Sequence, residues 1–193
     1  MSTQPNIPEL LAPAGGPDAL RAAVANGADA VYLGLDRLNA RRGAENFTID
    51  TLSDACDFAH LRDCRVYLTA NVLLLPREVP EALDLIAEAW SAGVDAVIVQ
   101  DLGLLRALRE SLPQVRVHSS TQMNVHSSDS LTTVATQGVS RVTLSREVSL
   151  QQITKLAETG RLVGVEVESF VHGALCVCYS GQIGRASCRG TLY

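Results

Sequence analysis

Asn26-Gly27-Ala28-Asp29-Ala30-Val31-Tyr32-Leu33 is a phrase that this chain repeats. It returns as Ala92-Gly-Val-Asp-Ala-Val97-Ile-Val99 and as Gln137-Gly-Val-Ser-Arg-Val142-Thr-Leu144. Each copy has a glycine where a helical pattern stops, then a short turn, then a β-branched apolar run. Glycine supplies the left-handed backbone of a helix C-terminus without a steric penalty. The apolar runs are continuous, as expected of parallel strands covered on both faces. Helix, glycine, strand, repeated, is the pattern of stacked βα units.

Working outward, the pattern predicts strands over Glu9–Ala14, Asp29–Leu35, Arg65–Asn71, Asp95–Gln100, Val115–Ser120, Arg141–Ser145 and Val163–Val171. Helices are predicted over Pro17–Asn26, Asp50–Arg62, Pro80–Ala92, Leu102–Leu112, Ser127–Gln137 and Ser149–Thr159. Pro17 sits where a first helical turn tolerates proline, and Ser149 is a natural N-cap. The fold class is therefore α/β, a (β/α) TIM-like barrel with about seven parallel strands. A complete barrel takes about 250 residues and this chain has 193, so the barrel is expected to be incomplete. An open doubly wound sheet is the rival, but no Gly-x-Gly-x-x-Gly follows the first strand.

Composition narrows the class. The chain is 47% hydrophobic with a net charge of −5, enough apolar content for one domain with a real core. No apolar run reaches the length of a membrane span. The N-terminus has no basic n-region or apolar h-region, and five cysteines, two of them in Cys176-Val-Cys178, suit a reducing compartment. A cytoplasmic location is expected. An acidic protein is a poor general binder of phosphate backbones, so an RNA substrate would need a local basic surface.

In barrels of this kind the chemistry lies at the C-terminal ends of the strands. Those ends carry Asn71, Gln100-Asp101, His118, Thr121-Gln122, Arg146-Glu147, Glu168 and His172. Asn71, Gln100, Asp101, His118, Thr121 and Gln122 are candidates for substrate binding. Glu168, His172, Arg146 and Glu147 are candidates for catalysis. Arg41, in the loop after the second strand, suits an anionic ligand because its planar fork matches carboxylate or phosphate. Each has a plainer alternative. Asp101 can cap the next helix, His118 can be a core histidine, Arg146 and Glu147 can form an ion pair, and Thr121 and Gln122 can satisfy loop backbone. Cys56 and Cys64 read as buried structural thiols.

The stretch Glu168-Ser-Phe170-Val-His172-Gly173-Ala174-Leu175-Cys176-Val-Cys178-Tyr-Ser-Gly181 resembles the signature of the U32 peptidase family, also called collagenase-like proteases. The family places a second cysteine where Ile183 stands. Asn39-Ala-Arg41, Asn46-Phe47, Leu68-Thr-Ala-Asn71, Val99-Gln100-Asp101, His118-Ser-Ser-Thr121-Gln122-Met-Asn124 and Leu144-Ser-Arg146-Glu147 extend the resemblance from about Glu9 to Gln182. Residues 1–182 are thus expected to form a truncated U32-family barrel domain. Residues 183–193 resemble adapter read-through and are expected to be a non-native tail, so Cys188 is not counted as a ligand.

The resemblance implies two activities. One is oxygen-independent hydroxylation of RNA bases, with an iron–sulfur cluster and prephenate, a dicarboxylate, as oxygen donor. The other is peptide hydrolysis, with Cys176 and His172 as the reacting pair. A non-catalytic subunit of a family complex is a third possibility. A [4Fe-4S] cluster takes four thiolates, and Cys176 would be one of them in the full-length protein. None is expected in this chain, which is expected to be inactive. No Gly-x-Ser-x-Gly elbow and no His-Glu-x-x-His zinc motif is present.

Overall fold

A computed structural model describes residues 7–38 and 46–173. Seven strands alternate with six helices among the described residues: β1 (Leu11–Pro13), α1 (Pro17–Ala25), β2 (Ala30–Gly34), α2 (Ile49–His60), β3 (Arg65–Ala70), α3 (Val79–Ser91), β4 (Ala96–Val99), α4 (Leu102–Ser111), β5 (Val117–Ser119), α5 (Ser128–Ala135), β6 (Arg141–Thr143), α6 (Leu150–Val163) and β7 (Glu166–Glu168). Strand order follows chain order, and the registered pairs are parallel. Two compact units divide the chain: Met1–Ala70 with Asp84–Ala96, and Asn71–Leu83 with Val97–Tyr193.

In the first unit the repeated phrase has a structural cause. Gly27 and Gly93 take positive φ, 87° and 109°, and end α1 and α3. The aspartate two residues later then ties the turn to the neighbouring strand. Asp29 Oδ2 accepts from Leu10 N at 2.7 Å, and Asp95 Oδ2 accepts from Val66 N at 2.7 Å. Asp29 N and Asp95 N donate in return to the carbonyls of Leu10 and Val66. The third strand lacks the phrase because Asp63, at φ 56°, does the work of glycine after α2. Asparagine and aspartate are among the few residues that tolerate this region. At the start of β3, Tyr67 Oη donates to Glu9 Oε1 at 2.9 Å, and Arg65 pairs with the same carboxylate. Val31, Leu33, Leu52, Cys56, Ala59, Val66 and Leu68 form the buried core here.

In the second unit, β4–β7 pack against α4–α6 through Leu104, Leu105, Leu108, Leu131, Val142 and Leu156, all buried. Ser127 and Ser149 close capping boxes on α5 and α6, as the sequence predicts for Ser149. The seventh strand differs from expectation. Val163 is the last residue of α6 and β7 covers only Glu166–Glu168. The reason is Gly164, which at φ 76° closes the helix with its N–H on Gly160 O. Leu162-Val163 is thus an exposed helix end, with no ladder to join. β1 and β5 are also shorter than the apolar runs that announced them.

Candidate active site

The C-terminal half of the sheet alternates, and that alternation builds the site. His118 pairs with Arg141, Arg141 with Glu166, and Thr143 with Glu168. The residues between them, Val142 and Val167, pair in the same way. Val167 lies against α6: a Cβ added at Gly160 would stand 2.8 Å from Val167 Cγ2 and 2.8 Å from Val165 O. Successive side chains on a strand point to opposite faces. Arg141, Thr143, Glu166 and Glu168, with His118 in the same row, therefore line the face turned away from the helices. The expectation of strands apolar on both faces fails here, because this face is polar.

The cluster is tightly bonded. Arg141 is 7% exposed. Its Nε lies 2.8 Å and its Nη2 2.5 Å from Glu166 Oε2, and its Nη1 lies 3.7 Å from Glu168 Oε2. Thr143 Oγ1 donates to Glu168 Oε1 at 3.0 Å. A buried guanidinium is tolerated only when paired and hydrogen-bonded, and two carboxylates meet that need. Glu168, a catalytic candidate, thereby accepts a hydrogen bond at Oε1 and faces Arg141 in an ion pair at Oε2. Arg141 and Thr143 were not among the candidates. The signal for them is the period-two pattern Arg141-Val-Thr143-Leu-Ser145 against Glu166-Val-Glu168, hidden by the glycine phrase that precedes it.

At the end of the same two strands, the Arg146 guanidinium carbon lies 4.0 Å above the ring centroid of Phe170. Arginine stacks well on an aromatic face and keeps its N–H edges for in-plane partners. The 3-10 turn Thr121–Met123 is bound to this end of β6. Thr121 Oγ1 donates to Leu144 O at 2.9 Å, Ser145 N donates to Val125 O at 2.9 Å, and Val125 bridges Leu144. Thr121 therefore satisfies backbone, its plainer reading. Ser145 Oγ and Gln122 Oε1 are buried and have no hydrogen-bond partner.

The remaining candidates are placed differently. Asp101 caps α4: its Oδ1 accepts from Leu104 N at 2.8 Å, and its Oδ2 from Leu74 N at 3.2 Å. Both oxygens are thus committed to backbone, fastening the segment after β3 to the start of α4. Asn71 and Gln100 follow β3 and β4 directly and are half-buried. His118 is 2% exposed within β5. Glu147 and His172 are exposed. Arg41, Cys176 and the proposed tail lie outside the described residues, and with them the pairing of His172 with Cys176.

The described residues do not fit an iron–sulfur cluster. No group of three or more His, Cys, Asp or Glu side chains among them could hold a metal ion. Their two free cysteines, Cys56 and Cys64, are buried. Burial, helped by Asp95 and Asp57, pushes the Cys56 thiol up to about 12. Burial and neighbouring carboxylates, Asp29 first, push Cys64 up as well. Such thiols are poor metal ligands and poor nucleophiles. No helix among the described residues is long and apolar enough to cross a membrane.

The fold is a TIM-like β/α architecture, with a polar strand face and an arginine–phenylalanine stack at its rim. The structure of the U32 peptidase Mk0906 shares that fold, with a TM-score of 0.72 at 16% identity over 100% of this chain and 82% of that one. The chain belongs to peptidase family U32, whose model matches residues 15–188. Among curated proteins it is similar to the uncharacterized protease MJ0090 of Methanocaldococcus jannaschii, 42% identical over 90% of this chain and 42% of that protein. It is 35% identical to the 23S rRNA 5-hydroxycytidine C2501 synthase of Escherichia coli, over 94% of this chain and 28% of that protein. It is 32% identical to a collagenase of Porphyromonas gingivalis, over 90% of this chain and 44% of that protein. The chain spans less than half the length of these relatives.

Proposed function

We propose that the protein to which this chain belongs hydroxylates RNA bases without molecular oxygen, using a prephenate-like dicarboxylate as oxygen donor. The observation that carries this reading is the similarity, over nearly the whole chain, to a relative named for hydroxylating a cytidine of ribosomal RNA. The site is consistent with it. Glu168 is a fixed carboxylate, and Arg146 is a guanidinium held in one plane. Among the described residues neither cysteine belongs to the strand face of Glu168: Cys56 lies in α2 and Cys64 precedes β3. The cofactor in this reading is a [4Fe-4S] cluster with Cys176 as one ligand, the others coming from residues not described here. A cytoplasmic location follows from the RNA substrate.

The second reading is a peptidase, favoured by relatives named as a protease and a collagenase. Its nucleophile would be Cys176 with His172 as base. Iron content separates the two. Protein expressed from its whole gene and reconstituted anaerobically with iron and sulfide should take up about four irons per chain and lose them in Cys176→Ser. Iron-free protein that hydrolyses a collagen-like peptide, with loss of activity in the same variant, would replace the first reading by the second.

A further inference from the structure

We propose that Arg141 and Glu166 are positioning residues for Glu168: Arg141 favours the charged form of that carboxylate, and Glu166 takes the closer hold on the guanidinium, so that Glu168 is not drawn into a bidentate pair with it. The inference rests on the reading of Glu168 as a carboxylate of the proposed site. Unequal distances within the trio support it. Arg141 Nε lies 2.8 Å and its Nη2 2.5 Å from Glu166 Oε2, which makes charge-assisted hydrogen bonds, the strong kind. Its Nη1 lies 3.7 Å from Glu168 Oε2, within reach of an ion pair but beyond a hydrogen bond. The cause is register. Arg141 stands directly opposite Glu166, and Thr143 directly opposite Glu168, so Glu168 meets the arginine only on the diagonal, where cross-strand neighbours are farther apart.

Burial gives the inequality its effect. Arg141 is buried, the Glu166 side chain is 64% exposed and the Glu168 side chain only 20%. A buried guanidinium needs a close partner, and Glu166 supplies one from the solvent side. Glu168 lies deeper, where charges are screened less. Two neighbours there favour its charged form, the Arg141 cation and the Thr143 hydroxyl, which donates to Oε1 at 3.0 Å. Glu166 opposes them as a like charge two residues away on the same strand face. The other charged or titratable groups of this part of the sheet, among the described residues, are His118, opposite Arg141 on β5, and Arg146, stacked on Phe170. Glu166 and Arg141 therefore act on Glu168 with opposite sign, which an ion pair that only fastens β6 to β7 would not do.

The test is an NMR titration of Glu168 in the chain, isotope-labelled at the glutamate carboxyl carbons, with the resonance assigned by its loss in Glu168→Gln. It needs neither a cluster nor turnover, so the proposal can fail while hydroxylation stands, or the reverse. Glu166→Gln removes the like charge and turns Arg141 toward Glu168, so the midpoint should fall by about half a pH unit or more. Arg141→Gln removes the opposite charge, so the midpoint should rise by about one pH unit or more. Where Arg141→Gln does not fold, Thr143→Val answers in its place: it keeps the Arg141–Glu166 pair and removes the hydrogen bond to Oε1, which should also raise the midpoint. Shifts of opposite sign are the expected result. Midpoints that stay where they are in wild type, or that move in one direction in every variant, overturn the proposal.

Discussion

Cys56 shows how one residue can imitate a reactive site without being one. It shares its surroundings with His60, whose Nε2 lies 2.9 Å from Asp95 Oδ2. A Cβ added at Gly93 would stand 3.2 Å from Cys56 Cβ and 3.6 Å from His60 Cε1. Cysteine and histidine thus stand one helical turn apart on α2, with the aspartate bonded to the histidine. Burial decides against reactivity, because a thiol pushed from 9.0 to about 12 stays protonated at neutral pH. The folded value lies above the unfolded one, so this thiol's contribution to stability is complete below pH 9 and is lost as pH rises toward 12. Cys56→Ala should therefore flatten the fall in the urea midpoint between pH 8 and pH 10, although packing lost at the site lowers both values. An unchanged slope would show that the thiol titrates alike in both states.

At the scale of elements, α6 and β7 depend on a glycine that no turn requires. Gly160 is helical and buried, and a Cβ there would come within 2.8 Å of both Val165 O and Val167 Cγ2. The close approach seats β7 beside β6 and so fixes Glu168 against Thr143. Gly160→Ala removes the propensity cost of glycine in a helix, about 1 kcal/mol, but forces backbone or Val167 to move. The expected result is a net loss of about 1–3 kcal/mol in chemical denaturation. A stabilised variant would mean that α6 can shift freely on the strand. The same two elements show what sequence pattern misses. Val163 is β-branched and apolar, yet it ends a helix because Gly164 comes after it rather than before.

For the whole molecule, the alternation of strand and helix was legible because the glycines after α1, α3 and α5 are each followed by a strand at constant spacing. The order of seven parallel strands followed from that spacing. The rim was legible only in part. Glu168, Arg146 and Thr121 lie at one strand end because three consecutive βα units deliver them there. Asp101, by contrast, is spent on a helix cap, which chain position alone could not distinguish from a ligand contact. Arg141 escaped notice because a charge inside a strand looks like a turn residue until register shows which face it occupies.

Membership of family U32 joins this chain to relatives named both for RNA hydroxylation and for proteolysis, so the reaction itself is what must be measured. Protein from the whole gene, reconstituted with iron and sulfide, should be given RNA and a dicarboxylate donor without oxygen. The RNA is then digested to nucleosides and read by mass spectrometry. Gain of one oxygen atom on a base, dependent on the donor and abolished by Glu168→Gln, is the predicted result. RNA left unmodified by iron-loaded, folded protein, across both transfer and ribosomal RNA, would contradict the account.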